Sequence, residues 1–592
     1  MAQNDPHSYT DTDQGRIRHA DLTWDVDFEK KKIAGEVILT LKEPLRGAID
    51  LDTRDLEILK ATDDRGKTLK WTLGDRDPIL GQRLRITSED AIASITISYA
   101  TSPKASALQW LEPSNTAGRK LPYLFSQCQS HHARSIVPLQ DSPAVRFSYR
   151  ATVTVPKPLT AVMSAAPGRE ETKASPGKTT YTFEMPQPIP SYLVAIAVGS
   201  IAHRDLGPRT RVYAEPETLD AAAWEFEPIN SMLSASEKLF GPYLWDRYDF
   251  IVLPPAFPYG GMENPRLTFL TPTLLAGDRS LVNVLCHELA HSWTGNLVTN
   301  ASMNDFWLNE GFTVWAEQRI LEALEGKEAL ALASTIGRQE LQEDMKRFGE
   351  GSPYTCLKHD LKGVDPDDIY SQVPYQKGCS FVTLLEQTVG REKWGQFIQQ
   401  YIERFKFTSI TTEEFLAFLE EKLPGLAKKV DAQEWIYKPG LPKNAPEFES
   451  KRLNELKSLA AGWPKGARPD PEKARKWPVR EWLVYLGELP KKLPHEDCRW
   501  LDESFRFSES RNAEFLNWWC VLAANSAYEP AYPKIREFLG SVGRMKFLKP
   551  IYRALFEGEK TRPLALEIFK KFADRYHPIA RGGLEAILKL RS

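Results

Sequence analysis

The segment Val284-Leu285-Cys286-His287-Glu288-Leu289-Ala290-His291-Ser292-Trp293 sets two histidines four residues apart in an apolar run free of glycine and proline. Such a run is predicted to be helical, and residues i and i+4 lie one turn apart on the same face. Both imidazoles can then close on one tetrahedral ion while Glu288 points to its side. After eighteen intervening residues, Asn309-Glu310-Gly311 opens a second apolar-periodic stretch over 312–320, and Glu310 can add a carboxylate ligand. His287, His291 and Glu310 are thus the expected ligands of one zinc ion per chain. Three protein ligands leave the fourth position for water, the mark of a catalytic rather than a structural zinc, and Glu288 is the group to take that water's proton. Glu317, one heptad beyond Glu310 on the same helix face, is placed to accept a hydrogen bond from a ligand histidine. The competing readings are two structural histidines on a core helix and, for Glu317, a solvated surface acid.

About twenty residues before this helix stands Pro258-Tyr259-Gly260-Gly261-Met262-Glu263-Asn264-Pro265, a turn-rich loop predicted to join two strands, whose glycines permit close backbone approach. On its own it reads equally as an ordinary hairpin loop.

The elements that must hold these residues follow from periodicity. The first two hundred residues alternate apolar and polar positions, as in Ile95, Ile97 and Tyr99 or Phe147, Tyr149, Ala151, Val153 and Val155. Period two predicts half-buried strands, with Glu43-Pro44 and Pro167-Gly168 as turn signals between them, in an antiparallel β domain over 1–200. From about Tyr213 longer helical stretches appear: 222–239 is predicted to be helical, 248–253 a strand, and 380–424 amphipathic helices. These make an α+β catalytic domain over 201–440. The Pro-rich stretch from Gly440 to Pro446 reads as a linker, 441–455, before a C-terminal α-helical domain of stacked helix pairs over 456–592. Segments such as 512–524 and 563–576 carry apolar residues at spacings of three and four, with no strict repeat.

The chain's 592 residues suit two to four domains. Seventy-seven Lys and Arg against seventy-nine Asp and Glu leave a net charge of -2, so no overall field favours nucleic acid or anionic lipid. Six scattered cysteines without a CxxC pair read as reduced thiols. With no leader of signal-peptide type and no apolar run of membrane-spanning length, a cytoplasmic location is expected, with a monomer favoured over an oligomer.

Gly-Gly-Met-Glu-Asn at 260–264, His-Glu-Leu-Ala-His-Ser-Trp at 287–293 and Leu-Asn-Glu-Gly at 308–311 together resemble the gluzincin zinc aminopeptidases of peptidase family M1. The resemblance extends over LFSQCQSHHAR at 124–134, the stretch 257–281, VDPDDIYSQVPYQKG at 364–378 and GRMKF at 543–547. It implies an N-terminal β saddle, a thermolysin-like catalytic domain and a helical C-terminal domain. In the family, the glutamate matching Glu263 binds the substrate's free α-amino group. A carboxylate there pairs with an ammonium and rejects an internal peptide, whose neutral amide leaves the charge unmatched in a dry pocket.

By the same resemblance, Tyr375 donates to the oxyanion, Gln129 assists Glu263, and Gln127 is its neighbour. Tyr259, Gly260, Gly261 and Met262 contact substrate, and Asp367 and Tyr370 line the pocket, Asp367 facing a basic first side chain. Arg544 and Lys546 hold the carboxylate of a short peptide. Their i, i+2 spacing on an extended segment sets both cations on one side. The function implied is removal of N-terminal residues from short peptides, with tripeptides favoured. The alternative is hydrolysis of a fatty-acid epoxide, an activity of one branch of the family that uses residues matching Glu263, Asp367, Tyr370 and Arg544. Against a long lipid channel stand Met303, where that branch has a pocket tryptophan, and the extra acid Asp368. A non-catalytic scaffold is the third reading, opposed by the intact ligand set.

Overall fold

Half-buried period-two segments pair into two sheets over the first third of the chain. The computed structural model describes residues 5–171 and 176–590. The larger sheet has eight strands, running Ala166–Glu171, Lys178–Pro190, Arg146–Pro156, Ile17–Asp27, Lys32–Thr53, Gln82–Ala100 and Glu57–Asp63, with Lys70–Leu73 also on Gln82–Ala100. It is mixed rather than wholly antiparallel, because Ile17–Asp27 and Arg146–Pro156 run parallel. Alternation reports which face a side chain takes and is silent on strand direction, which the intervening chain sets here. That chain contributes to a four-stranded sheet, Leu108–Leu111, Tyr123–Ser126, Ile196–Gly199 and Thr160–Met163.

Neither expected turn is one. Pro44 lies inside Lys32–Thr53, where the register slips between Thr40 and Gly47. Pro167-Gly168 lies inside the edge strand Ala166–Glu171, where it slips between Ala166 and Arg169. A residue with no N–H to give the ladder settles at a bulge or an edge.

The next sheet has five strands: Ala202–Gly207, Thr210–Ala214, Tyr248–Val252, Thr268–Leu270 and, at its edge, Gly261–Met262. Between them, the helix expected over 222–239 is two, Pro216–Glu225 and Ile229–Phe240, parted at Pro228. The metal-motif helix Asn283–Ala290 packs on the edge strand and on the long helix Trp307–Glu325. That long helix is buried along most of its length. Trp307 stacks among Phe312, Phe381 and Phe415 and donates Nε1–H to Thr412 Oγ1 at 3.0 Å. Large aromatics in such a setting stabilise by about 3–5 kcal/mol each, enough to hold the ligand-bearing turn rigid.

The stretch expected to be a free linker is packed. Asn444 Oδ1 accepts from Trp435 Nε1 at 2.9 Å, and the Pro446 carbonyl accepts from Arg338 at 2.8 Å. A helix, Lys451–Ala461, already starts inside it. Beyond it the helices Val479–Glu488, Ala513–Asn525 and Met545–Glu557 pack in succession around a second core. All six cysteines are buried and unpaired.

Candidate active site

His287 projects from the last turn of the helix Asn283–Ala290, and His291 follows as its C-terminal cap with helical backbone angles. The helical bond from His291 N to His287 O, 3.2 Å, preserves the one-turn spacing. Their Nε2 atoms are 3.2 Å apart, and Glu310 Oε2 lies 3.4 Å from one and 3.5 Å from the other. A tetrahedral zinc with bonds of about 2.0–2.1 Å sets its ligand atoms about 3.3–3.4 Å apart, so the triangle has the right size. Glu310 Oε2 is buried with no hydrogen-bond partner, as a donor atom reserved for a cation would be.

The outer nitrogens of both rings fix their inner ones. His287 Nδ1 donates to Glu317 Oε2 at 3.1 Å and His291 Nδ1 to the Thr294 carbonyl at 3.1 Å, so both Nε2 atoms turn lone pairs toward the centre. Glu317 is therefore engaged with a ligand imidazole and is not a solvated acid. Glu317→Ala is expected to weaken zinc binding about 10- to 100-fold in competition with a chelator, while unchanged affinity would remove Glu317 from the site.

Glu288 lies over the edge strand. A Cβ on Gly261 would fall 2.3 Å from Glu288 Oε1, and one on Gly260 would fall 2.5 Å from Arg544 Nη2, which explains why the motif needs two glycines. Burial pushes the Glu288 carboxyl up to about 8, opposed by the neighbouring His287 charge. A divalent cation alongside pulls it back toward the ionised form that a base requires.

Glu263 is 3 % exposed and shares a cluster with Glu288 and His291 whose donor atoms lie within 4.8 Å of one another. Its backbone carbonyl is held by Asn296 Nδ2 at 2.7 Å, and its carboxylate accepts a long bond from Gln129 Nε2, 3.4 Å. Among the described residues no lysine or arginine pairs with it. Burial, with Glu310 and Glu288 nearby, holds its carboxyl well above the usual range. Gln127, expected as the neighbour, reaches Met262 Sδ with its amide at 3.3 Å, one residue from Glu263.

Tyr375 occupies a widened helical turn, Val373–Lys377, with its ring 6.3 Å from that of His287. Such turns frequently mark functional positions. Burial keeps its hydroxyl protonated far above neutrality. Tyr370 lies between Tyr375 and Tyr259, at 5.9 Å from each ring.

A cavity of about 40 Å³ opens beside these tyrosines, lined by Gln129, Tyr259, Met303, Phe306, Asp367 and Tyr370, among others. Asp367, expected to face a basic first side chain, lines it, and its Oδ2 accepts from His132 Nε2 at 2.8 Å. Asp368 is exposed and outside the lining, so its charge does not narrow the cavity.

Arg544 and Lys546 do not sit on an extended segment. Arg544 caps the helix Met545–Glu557, Lys546 lies in its first turn, and both bond Glu514, with Lys546 also reaching Glu340. Glu514, Glu340 and His132 were not singled out from the sequence, because the pairs they form join residues far apart in the chain. Arg544 is buried, and its Nε has no partner.

A glutamate-flanked triangle of two imidazoles and a carboxylate, set against an edge strand that is followed directly by a buried acid, defines a zinc metallopeptidase. Family models match three consecutive regions: the peptidase M1 N-terminal domain over 12–193, the peptidase family M1 domain over 224–435 and the leukotriene A4 hydrolase C-terminal domain over 477–588. The chain is 39 % identical over 595 residues to leukotriene A-4 hydrolase of Xenopus laevis, covering 97 % of each. It is 38 % identical over 607 residues to leucine aminopeptidase 2 of Sclerotinia sclerotiorum, covering 99 % of each. Yeast LTA4 hydrolase in complex with bestatin superposes with a TM-score of 0.90 at 34 % identity, over 99 % of this chain and 98 % of that one. The chain belongs to peptidase family M1 and is a zinc-dependent aminopeptidase with one catalytic zinc, built as an N-terminal β-rich domain, a central catalytic domain and a C-terminal helical domain. Peptides are its substrates, and no helix among the described residues is long and apolar enough to cross a membrane.

Proposed function

We propose that the chain removes the first residue from short peptides, tripeptides above all, and that Glu263 is the group that reads the free α-amino end. The observation that carries this is a buried carboxylate beside the ligand triangle, with no lysine or arginine partner among the described residues. A substrate ammonium supplies the missing charge, and Gln129 adds a hydrogen bond. When bound at His287, His291 and Glu310, the zinc ion supplies Lewis-acid charge for carbonyl and water activation. Glu288 takes a proton from the attacking water and returns it to the departing amine, so water is added across the scissile C–N bond. Tyr375 donates its O–H to the carbonyl oxygen as charge develops there.

Arg544 stands beside Gly260, three residues from Glu263 along the edge of the sheet, or about 10 Å at 3.3 Å per residue. An extended tripeptide has that reach. The unpartnered Nε of Arg544 is free for a terminal carboxylate, while Glu514 balances the remaining charge. Lys546 is the outer of the two cations. Arg544→Ala is expected to lower kcat/KM for tripeptides about 10- to 100-fold, the worth of a charge-assisted hydrogen bond, and to leave aminoacyl anilides nearly unchanged. An equal loss on both would mean that Arg544 supports the fold through Glu514.

A second reading, opening of a fatty-acid epoxide, is favoured by the apolar patch of Met303, Phe306 and Leu361 against Tyr375, on the side where Asp367 and Tyr370 stand. Assay of one preparation on the epoxide and on an anilide separates the two. The domain limits we propose remain near 200 and 440, with the third domain moved back from 456 to the helix start at Lys451. A cytoplasmic monomer is the setting proposed.

A further inference from the structure

Asp5, His7 and His131 are buried together, at 6 %, 1 % and 4 % exposure, and one donor atom from each lies within 4.8 Å of the others. The lone pairs in this cluster have nowhere to go. His7 Nε2 lies 2.9 Å from the Val364 carbonyl oxygen, which obliges it to carry the ring proton. Its Nδ1 then turns a lone pair toward Asp5 Oδ1, 3.7 Å away, too far for a hydrogen bond, and has no other partner among the described residues. Among the described residues both ring nitrogens of His131 lack a hydrogen-bond partner, with Nε2 3.5 Å from Asp5 Oδ2.

The charge is equally unmatched. Asp5 accepts from Ser142 Oγ at 2.7 Å and from the His7 backbone N–H at 3.0 Å, yet among the described residues its only ion-pair partners are the two histidines. Arg134, behind His7, donates to the His7 carbonyl at 2.7 Å, but its charge already faces Asp141 at 2.9 Å and Asp52 at 3.8 Å. Arg134 thus has two carboxylates to balance already, and Asp5 is left facing the two imidazoles, a buried negative charge that a cation held among them would offset.

We propose that Asp5, His7 and His131 form a second metal site for a zinc-class divalent cation, distinct from the catalytic one. Two imidazoles and one carboxylate are the donor set of the catalytic triangle as well; the 3.5 and 3.7 Å sides at Asp5 need contract by only a few tenths of an ångström to match it, and the side between the two imidazoles lies within 4.8 Å. The site joins three pieces of chain. Asp5 and His7 come from its start, His131 lies two residues past Gln129, and His7 holds Val364, three residues before Asp367. A cation here pins the chain's start against both segments that line the substrate cavity, and so acts on substrate binding by position alone.

The test is equilibrium dialysis of the full chain against Zn²⁺, with metal counted by mass spectrometry. The wild type is expected to hold about two equivalents, Glu310→Ala to keep the second, and His131→Asn to hold about one. Because a variant can misfold, anomalous diffraction at the zinc edge from wild-type crystals supplies the second measurement, with a peak expected between Asp5, His7 and His131. A single equivalent in the wild type together with a single anomalous peak, at the catalytic triangle, overturns the proposal and leaves protonated histidines as the counter-charge. A second equivalent that His131→Asn retains overturns it too, since that zinc lies elsewhere.

Discussion

Glu288→Gln is expected to retain its zinc and to lose turnover by roughly 10²- to 10⁴-fold, the usual worth of a positioned general base. The ligand triangle does not include Glu288, and its outer contacts, Glu317 and the Thr294 carbonyl, are untouched by the change. Glutamine has the same shape, so it still fits over Gly261, where no larger residue leaves room. What it lacks is the capacity to accept a proton from water and pass it to the departing amine. Metal analysis and kcat on one preparation check this, and a variant within a few-fold of wild-type kcat would show that some other group is the base.

The second large effect is expected at Glu263. Glu263→Ala should lower kcat/KM on free-amino substrates by about 10²- to 10³-fold, since it leaves a substrate ammonium buried without its partner. Part of the loss falls on kcat, because the same contact sets the scissile bond against Glu288 and Tyr375. Gln129, at 3.4 Å, is too weakly engaged to replace a charge. Steady-state rates on an aminoacyl anilide decide the point, and a change in KM alone with normal kcat would make Glu263 a binding group without a positioning role.

The parts legible in the sequence are those whose geometry is local. His287, Glu288 and His291 share one helical turn, and Glu310 and Glu317 share one helix, so a period of 3.6 placed all five. The alternation that marked strands also located the β region. Strand direction was not legible, since Ile17–Asp27 finds a parallel neighbour more than a hundred residues away. Nor were Pro44 and Pro167 readable as bulges, because a proline that ends a strand and one that buckles it differ only in what lies opposite. At the site, the hidden contacts are the long-range ones. His132 holds Asp367 across 235 residues, and Glu514 holds Arg544 across 30. Both pairings orient a charged side chain beside the site, which spacing alone does not reveal. Arg544 and Lys546 also show that i, i+2 spacing indicates a shared side only on an extended chain, whereas theirs is the start of a helix.

The account rests on a free α-amino group being the feature that Glu263 recognises. The most direct measurement is kcat/KM of the zinc-loaded wild type on a tripeptide and on the same tripeptide acetylated at its N-terminus. Acetylation removes the positive charge and leaves a neutral amide against a buried carboxylate, so a loss of at least about a hundredfold is expected. Comparable rates on the two peptides, or cleavage at internal bonds of a longer chain, would contradict it.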